Sequence, residues 1–282
     1  SADEAQVEGS QRTRVYVGVD GVMVRSVTQA EKDKRREQHA IRRRQRGRAK
    51  VRNSKPLPPR RPGSDDGFKE MKLGLFYDQS KARTHLFATE GDHEVFGKLM
   101  RQHADVIGFE AAGEQITLTD GATWIRKQLL GQFKHLEALL LDFFHLSEHI
   151  WDTARTCLET GDAAREWAER QLKAMKETGY RAVLADIDIL RKKVRSEAKK
   201  ESLRLLRQYI MERWEMLDYP QALARGWDIG SGPTEAACKN LTLRLKRTGM
   251  KWDTDHAAAL MNLVALRQSG QWNLYWQTRQ TA

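Results

Sequence analysis

The chain has 282 residues, 40% hydrophobic and 8% aromatic, enough apolar surface for one large core or two modest ones and too much for a disordered polymer. No apolar run reaches the roughly 18 residues of a membrane-spanning helix, so no membrane partner is expected. The polar, acidic residues 1–10 resemble neither a signal nor a transit peptide. Net charge is +11, and residues 29–62 carry all of it, with 14 Lys or Arg against 3 Asp or Glu. Such a block points to a polyanionic partner, or else to a solvated linker or localisation signal. Only two cysteines occur, Cys157 and Cys238, which excludes a four-cysteine zinc module or a disulfide framework and suits a reducing, cytoplasmic setting. The chain opens on Ser1 rather than Met, so we expect a processed product or a piece of a longer protein.

Residues 14–26 (RVYVGVDGVMVRS) are rich in valine and broken only by Asp20-Gly21, which predicts a buried strand. The basic block follows and closes on Pro56, Pro58, Pro59 and Pro62, so its end is expected to be extended. Residues 68–77 and 82–89 predict two strands joined by the turn Asp78-Gln79-Ser80, and residues 93–106 a helix. A short strand over 115–120 ends in an acid and gives way at Gly121 to a helix over 122–133. The apolar run inside 136–143 predicts another strand, and 145–159 a helix.

From about residue 162 to 218 the pattern becomes purely helical. Ala164, Ala168, Leu172 and Met175 share one face, as do Val183, Ile187, Leu190 and Val194; Leu203, Leu206, Ile210, Trp214 and Leu217 continue the theme. The turn-rich stretch GWDIGSGP ends this block, a helix starts at Pro233, and a very apolar helix over 254–266 follows. An antiparallel group of strands followed by alternating strands and helices predicts a mixed α/β sheet.

Three acids sit where metal-dependent phosphoryl transfer needs them, at strand ends or helix starts beside small residues. Such chemistry gathers carboxylate oxygens around divalent cations, because clustered acids without a cation repel one another. Asp20 interrupts an apolar strand before Gly21; its bland alternative is an edge-strand residue facing solvent. Asp120 ends a strand before Gly121, and capping the next helix is an alternative compatible with metal binding. Glu235 is the third helical residue if Gly232 caps and Pro233 comes first; its alternative is half of a capping box. Glu235, Lys239, Thr242 and Lys246 then share one helical face, and Ala237, Leu241 and Leu245 another. Asp142, with His145 three residues on, is suited to positioning substrate or bracing the site, or simply to capping a helix.

The segments VGVDGVMV around Asp20, LTDGATWI around Asp120, LLLDFFHLSEHIWDTAR around Asp142 and His145, and GWDIGSGPTEAACKNLTLRLKRTGMKW around Glu235 resemble bacterial insertion-sequence transposases of the Kra group. Their order and spacing carry the resemblance over about residues 15–276. It implies a ribonuclease-H-like α/β domain with Asp20, Asp120 and Glu235 as catalytic and metal-binding residues for two Mg²⁺ (or Mn²⁺) ions. Asp142 and His145 match the C/DxxH motif of Mutator-like and hAT-like relatives, with Asp in the Cys place. The resemblance further implies a first core part over 14–160 with the basic insertion at 29–67, a helical insertion over 161–227 and a last core part over 228–282, after a tail at 1–13. It implies DNA strand cleavage and 3′-hydroxyl strand transfer, transposon ends and target DNA as partners, a homo-oligomer of two or more copies, and a bacterial, nucleoid-associated location. A DNA-binding domain normally precedes the catalytic one in these families, and the residues before Asp20 are too few to form it, so this chain is expected to be the catalytic portion.

Lys239, Arg244, Lys246 and Arg247 are expected to meet phosphates near the acids, and Arg42, Arg43, Arg44, Arg46 and Arg48 to track the backbone elsewhere. Most of the eight tryptophans are expected to pack in cores, with Trp252 a candidate for base stacking. Two other activities fit parts of the pattern. A structure-selective nuclease or resolvase would use the same acids to cut without joining. His145 to His149 also spell HxxEH, the signature of inverted zinc metalloproteases, although that scheme leaves the basic block without a role.

Overall fold

A computed structural model describes residues 13–47 and 64–280. Arg48 and the four clustered prolines lie outside the described residues. Five strands form one mixed sheet: β1 (Arg14–Arg25), β2 (Phe68–Asp78), β3 (Thr84–Thr89), β4 (Glu114–Thr119) and β5 (Ala138–Leu141), in the order β3-β2-β1-β4-β5. β1 runs antiparallel to β2, and β2 to β3, whereas β4 and β5 run parallel to β1. β1 is therefore central, flanked on both sides along its first half.

Period-2 alternation divides β1 between two cores. Tyr16, Val22 and Val24 face one side of the sheet, with Ile116, Leu118 and Leu140, under the late helices α9 (Gly232–Thr242) and α10 (Thr254–Gln268). Val17 and Val19 face the other side, with Phe76 and Phe87, under α2 (His93–Ile107) and α3 (Thr123–Gln132). Past Asp20 the second layer no longer covers β1, and Met23 is exposed. The limits of α2 follow from its ends: the Asp92 carboxylate accepts the Val95 N–H at 2.8 Å, and Gly108 closes it with φ 69°.

At the β5 edge the chain builds a separate helical core. α4 (Phe143–Cys157), α5 (Gly161–Glu177), α6 (Tyr180–Lys193), α7 (Glu197–Glu212) and the short α8 (Tyr219–Ala224) bury Leu146, Ile150, Ala168, Met175, Val183, Ile187, Leu203 and Ile210 together. The periodicity of Ala164, Ala168 and Met175 is thus realised as a buried face. Trp214 departs from expectation: α7 ends at Glu212, a 3₁₀ turn over Trp214–Met216 follows, and Trp214 is 49% exposed. The change of helical pitch rotates it off the face set by Ile210. Trp272 and Trp276, on the C-terminal α11 (Trp272–Gln280), are also exposed rather than packed inside.

One helix had no counterpart in the hydrophobic pattern. α1 (Gln29–Gln45) leaves the end of β1 as a mostly exposed, highly charged rod, started by a Thr28–Glu31 capping box. Its base is pinned by ion pairs of Lys32 with Asp253 and Glu31 with Lys251. Among the described residues no helix is long and apolar enough to cross a membrane.

Candidate active site

Strand register brings the acids to one level. Val19 pairs with Thr119, and Thr119 with Leu141, as the last matched residues of β1, β4 and β5. Asp20, Asp120 and Asp142 each come next in sequence, Asp20 inside β1 and Asp120 and Asp142 one residue past the ends of β4 and β5. Asp20 and Asp142 continue the parity of Tyr16 and Leu140, the residues that face α9. β1 is central up to Val19, where its pairing with β4 ends, so at Asp20 only β2 flanks it; Asp20 is half-buried there rather than fully exposed.

Asp20 is half-buried; its Oδ1 accepts the Gly21 N–H at 2.6 Å and its Oδ2 accepts the Cys238 thiol at 3.1 Å. Burial and the neighbouring Asp20 carboxylate hold the Cys238 thiol protonated, well above the ordinary thiol range. Asp120 is half-buried and its Oδ1 accepts the Ala122 N–H at 2.9 Å in a local turn. The helix cap is Ala122, so Asp120 is not itself the capping residue.

Glu235 reaches the site through α9, which lies close on β1. A Cβ on Gly18 would stand 1.8 Å from the Thr234 hydroxyl oxygen, so only glycine lets this turn of the helix rest on the strand. Cys238, one turn beyond Glu235 on α9, touches Asp20 directly, which places Glu235 on the turn above that carboxylate. Ser231 caps α9, which makes Glu235 the fourth helical residue rather than the third. Glu235 is exposed and its side chain makes no hydrogen bond or ion pair among the described residues, so the capping-box alternative is not realised. Its charge is nonetheless felt at the Cys238 sulfur.

Asp142 is 4% exposed and does two jobs. Its Oδ1 accepts the Phe144 N–H at 2.8 Å, capping α4, and its Oδ2 accepts the Ser231 hydroxyl. The chain leading into α9 is laced further: Phe143 N–H donates to the Ile229 carbonyl at 2.9 Å and Asp228 N–H to the Tyr16 hydroxyl at 3.1 Å. The GSGP turn is thereby fixed to β1 and α4, and with it the start of the Glu235 helix. Asp142 thus caps α4, as one sequence alternative had it, and through Ser231 holds the start of α9. His145 is exposed, with its Nδ1 3.7 Å from Glu148. His149 instead packs its ring on Tyr209, centroids 3.9 Å apart, so the HxxEH histidines take different partners.

The basic residues divide. Lys239, Arg244, Lys246 and Arg247 are all exposed, but α9 stops at Thr242, so Lys246 is not on a continuous helical face with Glu235. Thr242 is 4% exposed and donates its hydroxyl to the Cys238 carbonyl at 2.7 Å, which turns it inward where the sequence placed it outward. Ala237, Leu241 and Leu245 are buried as the apolar face. Arg42, Arg44 and Arg46 are exposed at the far end of α1, and Arg43 is half-buried there. Trp252 is half-buried against the sheet core, and its backbone bonds to both Arg25 and Val27, so packing accounts for it better than base stacking.

Among the described residues no three His, Cys, Asp or Glu side chains converge closely enough to hold a metal ion. Asp20 and Asp120 each follow a matched residue of β1 and β4, whereas Glu235 is exposed on α9 and does not meet them. The donor set itself suits a hard divalent cation, being three carboxylates beside Gly21 and Gly121. Two residues near the acids carried no sequence signal that was read: Cys238, detectable as the residue one turn past Glu235, and Arg213, which reaches Gly121 from the helical unit.

The family model of an uncharacterised protein family, UPF0236, matches residues 84–279, which is well over half of the chain and includes Asp120, Asp142, His145 and Glu235. No curated protein matches the chain.

Proposed function

We propose that this chain, which belongs to the UPF0236 family, is a DNA transposase of the ribonuclease-H-like type, similar to the Kra group of insertion-sequence enzymes. One observation carries the reading: Asp20 and Asp120 follow the same register level on adjacent parallel strands, under the helix that bears Glu235. The three antiparallel and two further parallel strands, with β1 in the middle, agree with the fold that reading requires. The valine-rich strand holds Asp20 half-buried, a position that favours function over a solvent contact.

Asp20, Asp120 and Glu235 would hold two Mg²⁺ or Mn²⁺ ions, which when bound activate an attacking oxygen and stabilise a leaving one. Gly18 and Thr234 set the height of Glu235 above Asp20, and Asp142 with Ser231 sets where its helix begins. The exposed Lys239, Arg244, Lys246 and Arg247 neutralise phosphates beside the acids, and α1 tracks the duplex farther away. Two in-line displacements at phosphorus would then occur: water would attack a phosphodiester and release a 3′-hydroxyl, and that hydroxyl would attack a target phosphodiester, forming the new P–O bond and releasing the target strand's 3′-hydroxyl. The helical unit offers surface for a second DNA segment or a second copy of the chain.

Incubation with Mg²⁺ and labelled DNA carrying the element's ends tests the reading by scoring nicks and joined products. Both are expected from the wild type and neither from Asp20→Ala, Asp120→Ala or Glu235→Ala, while DNA binding persists. Nicks without joining would make the protein a nuclease or resolvase. Near-normal cutting by two of the three variants would refute the assignment of the acids. His145→Ala is expected to slow cutting with little change in melting temperature, since His145 is exposed and its ring lies 3.7 Å from the exposed Glu148.

A further inference from the structure

Arg213 arrives beside the acids from the opposite side to α9. It follows α7, and the same turn is tied to α3 by an ion pair of Glu215 with Arg126. Its side chain crosses Gly121: a Cβ there would stand 2.8 Å from Arg213 Nε and 3.1 Å from its Cδ. Gly121 also has φ 77°, so the residue after Asp120 is glycine for two reasons, its backbone and the arginine over it.

The guanidinium is held but not satisfied. It lies 4.0 Å from the centroid of the Tyr209 ring, which in turn packs on His149. Burial, against the pull of Arg213, pushes the Tyr209 hydroxyl up to about 12, so the platform stays neutral. The Nη1 contacts, with the Tyr209 carbonyl and a Glu212 carboxylate oxygen, are both 3.4 Å, the long limit of a hydrogen bond. Nε is buried and has no hydrogen-bond partner among the described residues. The Arg213 side chain is 20% exposed and its ion pair, at 3.4 Å, is with the exposed Glu212 rather than with Asp120, although the charges of both Asp120 and Arg213 act on Tyr209. A guanidinium is always charged, and a buried unpaired N–H of it is costly, so an acceptor belongs there. The acceptor matching a fork of donors next to a cation-binding carboxylate is an anionic group with paired oxygens, a phosphate.

We propose that Arg213 binds a backbone phosphate of the DNA strand lying over Asp120, so that the helical unit supplies one of the contacts that position the cleaved strand. The paired rings of His149 and Tyr209 hold the guanidinium before DNA arrives, and Gly121, having no side chain, makes room for the arginine stem. The inference rests on the proposed DNA-cutting activity, and its test separates the two.

Arg213→Gln and Arg213→Lys are compared with the wild type in two assays: Mg²⁺-dependent cleavage, and the salt dependence of DNA binding in Ca²⁺. Melting temperature is followed in parallel. Arg213→Gln is expected to lower the slope of log K against log salt by about one and to slow cleavage about 10²–10³-fold. Arg213→Lys, which keeps the charge and the stem, is expected to restore the slope but little of the rate. An unchanged slope in folded Arg213→Gln overturns the phosphate contact, whatever happens to cleavage, because a merely structural arginine would not move it. An unchanged cleavage rate overturns the positioning role. If the wild type cuts no DNA yet the slope still falls by about one, the contact stands and the transposase reading fails.

Discussion

Replacing Gly18 with alanine probes a close approach between the helix of Glu235 and the strand of Asp20. The added methyl would meet the Thr234 hydroxyl oxygen at 1.8 Å, roughly 1.6 Å short of the 3.4 Å where ordinary contact begins. Rotating the threonine gives no relief, because its Cβ and Cγ2 stand at 2.9 and 3.1 Å from the same point. Thr234 is 3% exposed, so α9 as a whole has to lift. Overpacking of this kind costs about 1–3 kcal/mol, or a fall in Tm of roughly 3–10 °C for a chain this long. Glu235 moves with the helix, and a displacement of about 1 Å near the reacting centre slows chemistry about 10²-fold.

Thermal melts and Mg²⁺-dependent DNA cleavage read the two effects. Adding Thr234→Ala removes the two outer atoms and leaves only the Cβ contact, so the double variant is expected to regain most of the lost Tm and part of the rate. Unchanged Tm in Gly18→Ala would refute the packing argument. A lowered Tm with an unchanged cleavage rate would refute the link between helix height and the position of Glu235.

Asp142→Ala removes the α4 cap and the Ser231 contact together; a loss of about 1–2 kcal/mol is expected in denaturant titration, and an equal Cm to wild type would contradict it. Stability should also fall with acidity through a histidine pair far from the acids. Burial, with His85 beside it, lowers His103 to about 4, and burial lowers His85 as well. The unfolded chain takes up these protons below about pH 6.5 while the folded one resists, so Tm is expected to drop from pH 6.5 toward 4. His103→Phe, which keeps a ring to stack on Phe87, should flatten that slope, and an unaltered slope would dismiss the pair as its source. For the basic helix, DNA affinity is expected to fall about 10³–10⁵-fold between 50 and 200 mM salt, given about 6–10 phosphate contacts. Charge reversal at Arg42, Arg43 and Arg44 should shrink that fall, and an identical salt response would remove α1 from the interface.

Much of the sheet was legible because each strand carries its own signal: the valines of β1 broken by Asp20, the leucines of β5, and an Asp just past the ends of β4 and β5. The alignment of Asp20, Asp120 and Asp142 was not, since register is a property of pairs of strands and no single segment records it. The helix start near Pro233 could be read from punctuation, yet its end could not. Thr242 turns inward by bonding its hydroxyl to Cys238, and periodicity alone carries the helix on to Lys246. α1 escaped because a helix with almost no buried residue has no apolar face to reveal its period. Arg213 gave no local signal at all; its meaning comes from Gly121, brought to it only by the packing of the helical unit against β5 and α3.

The proposed activity requires Asp20, Asp120 and Glu235 to share cations on the face under α9, with Glu235 closing inward. Mn²⁺ binding to the whole protein on DNA, followed by electron paramagnetic resonance, measures this directly. Two ions per chain are expected for the wild type, with loss of at least one in each of Asp20→Asn, Asp120→Asn and Glu235→Gln. Mn²⁺ occupancy indifferent to all three substitutions would contradict the account.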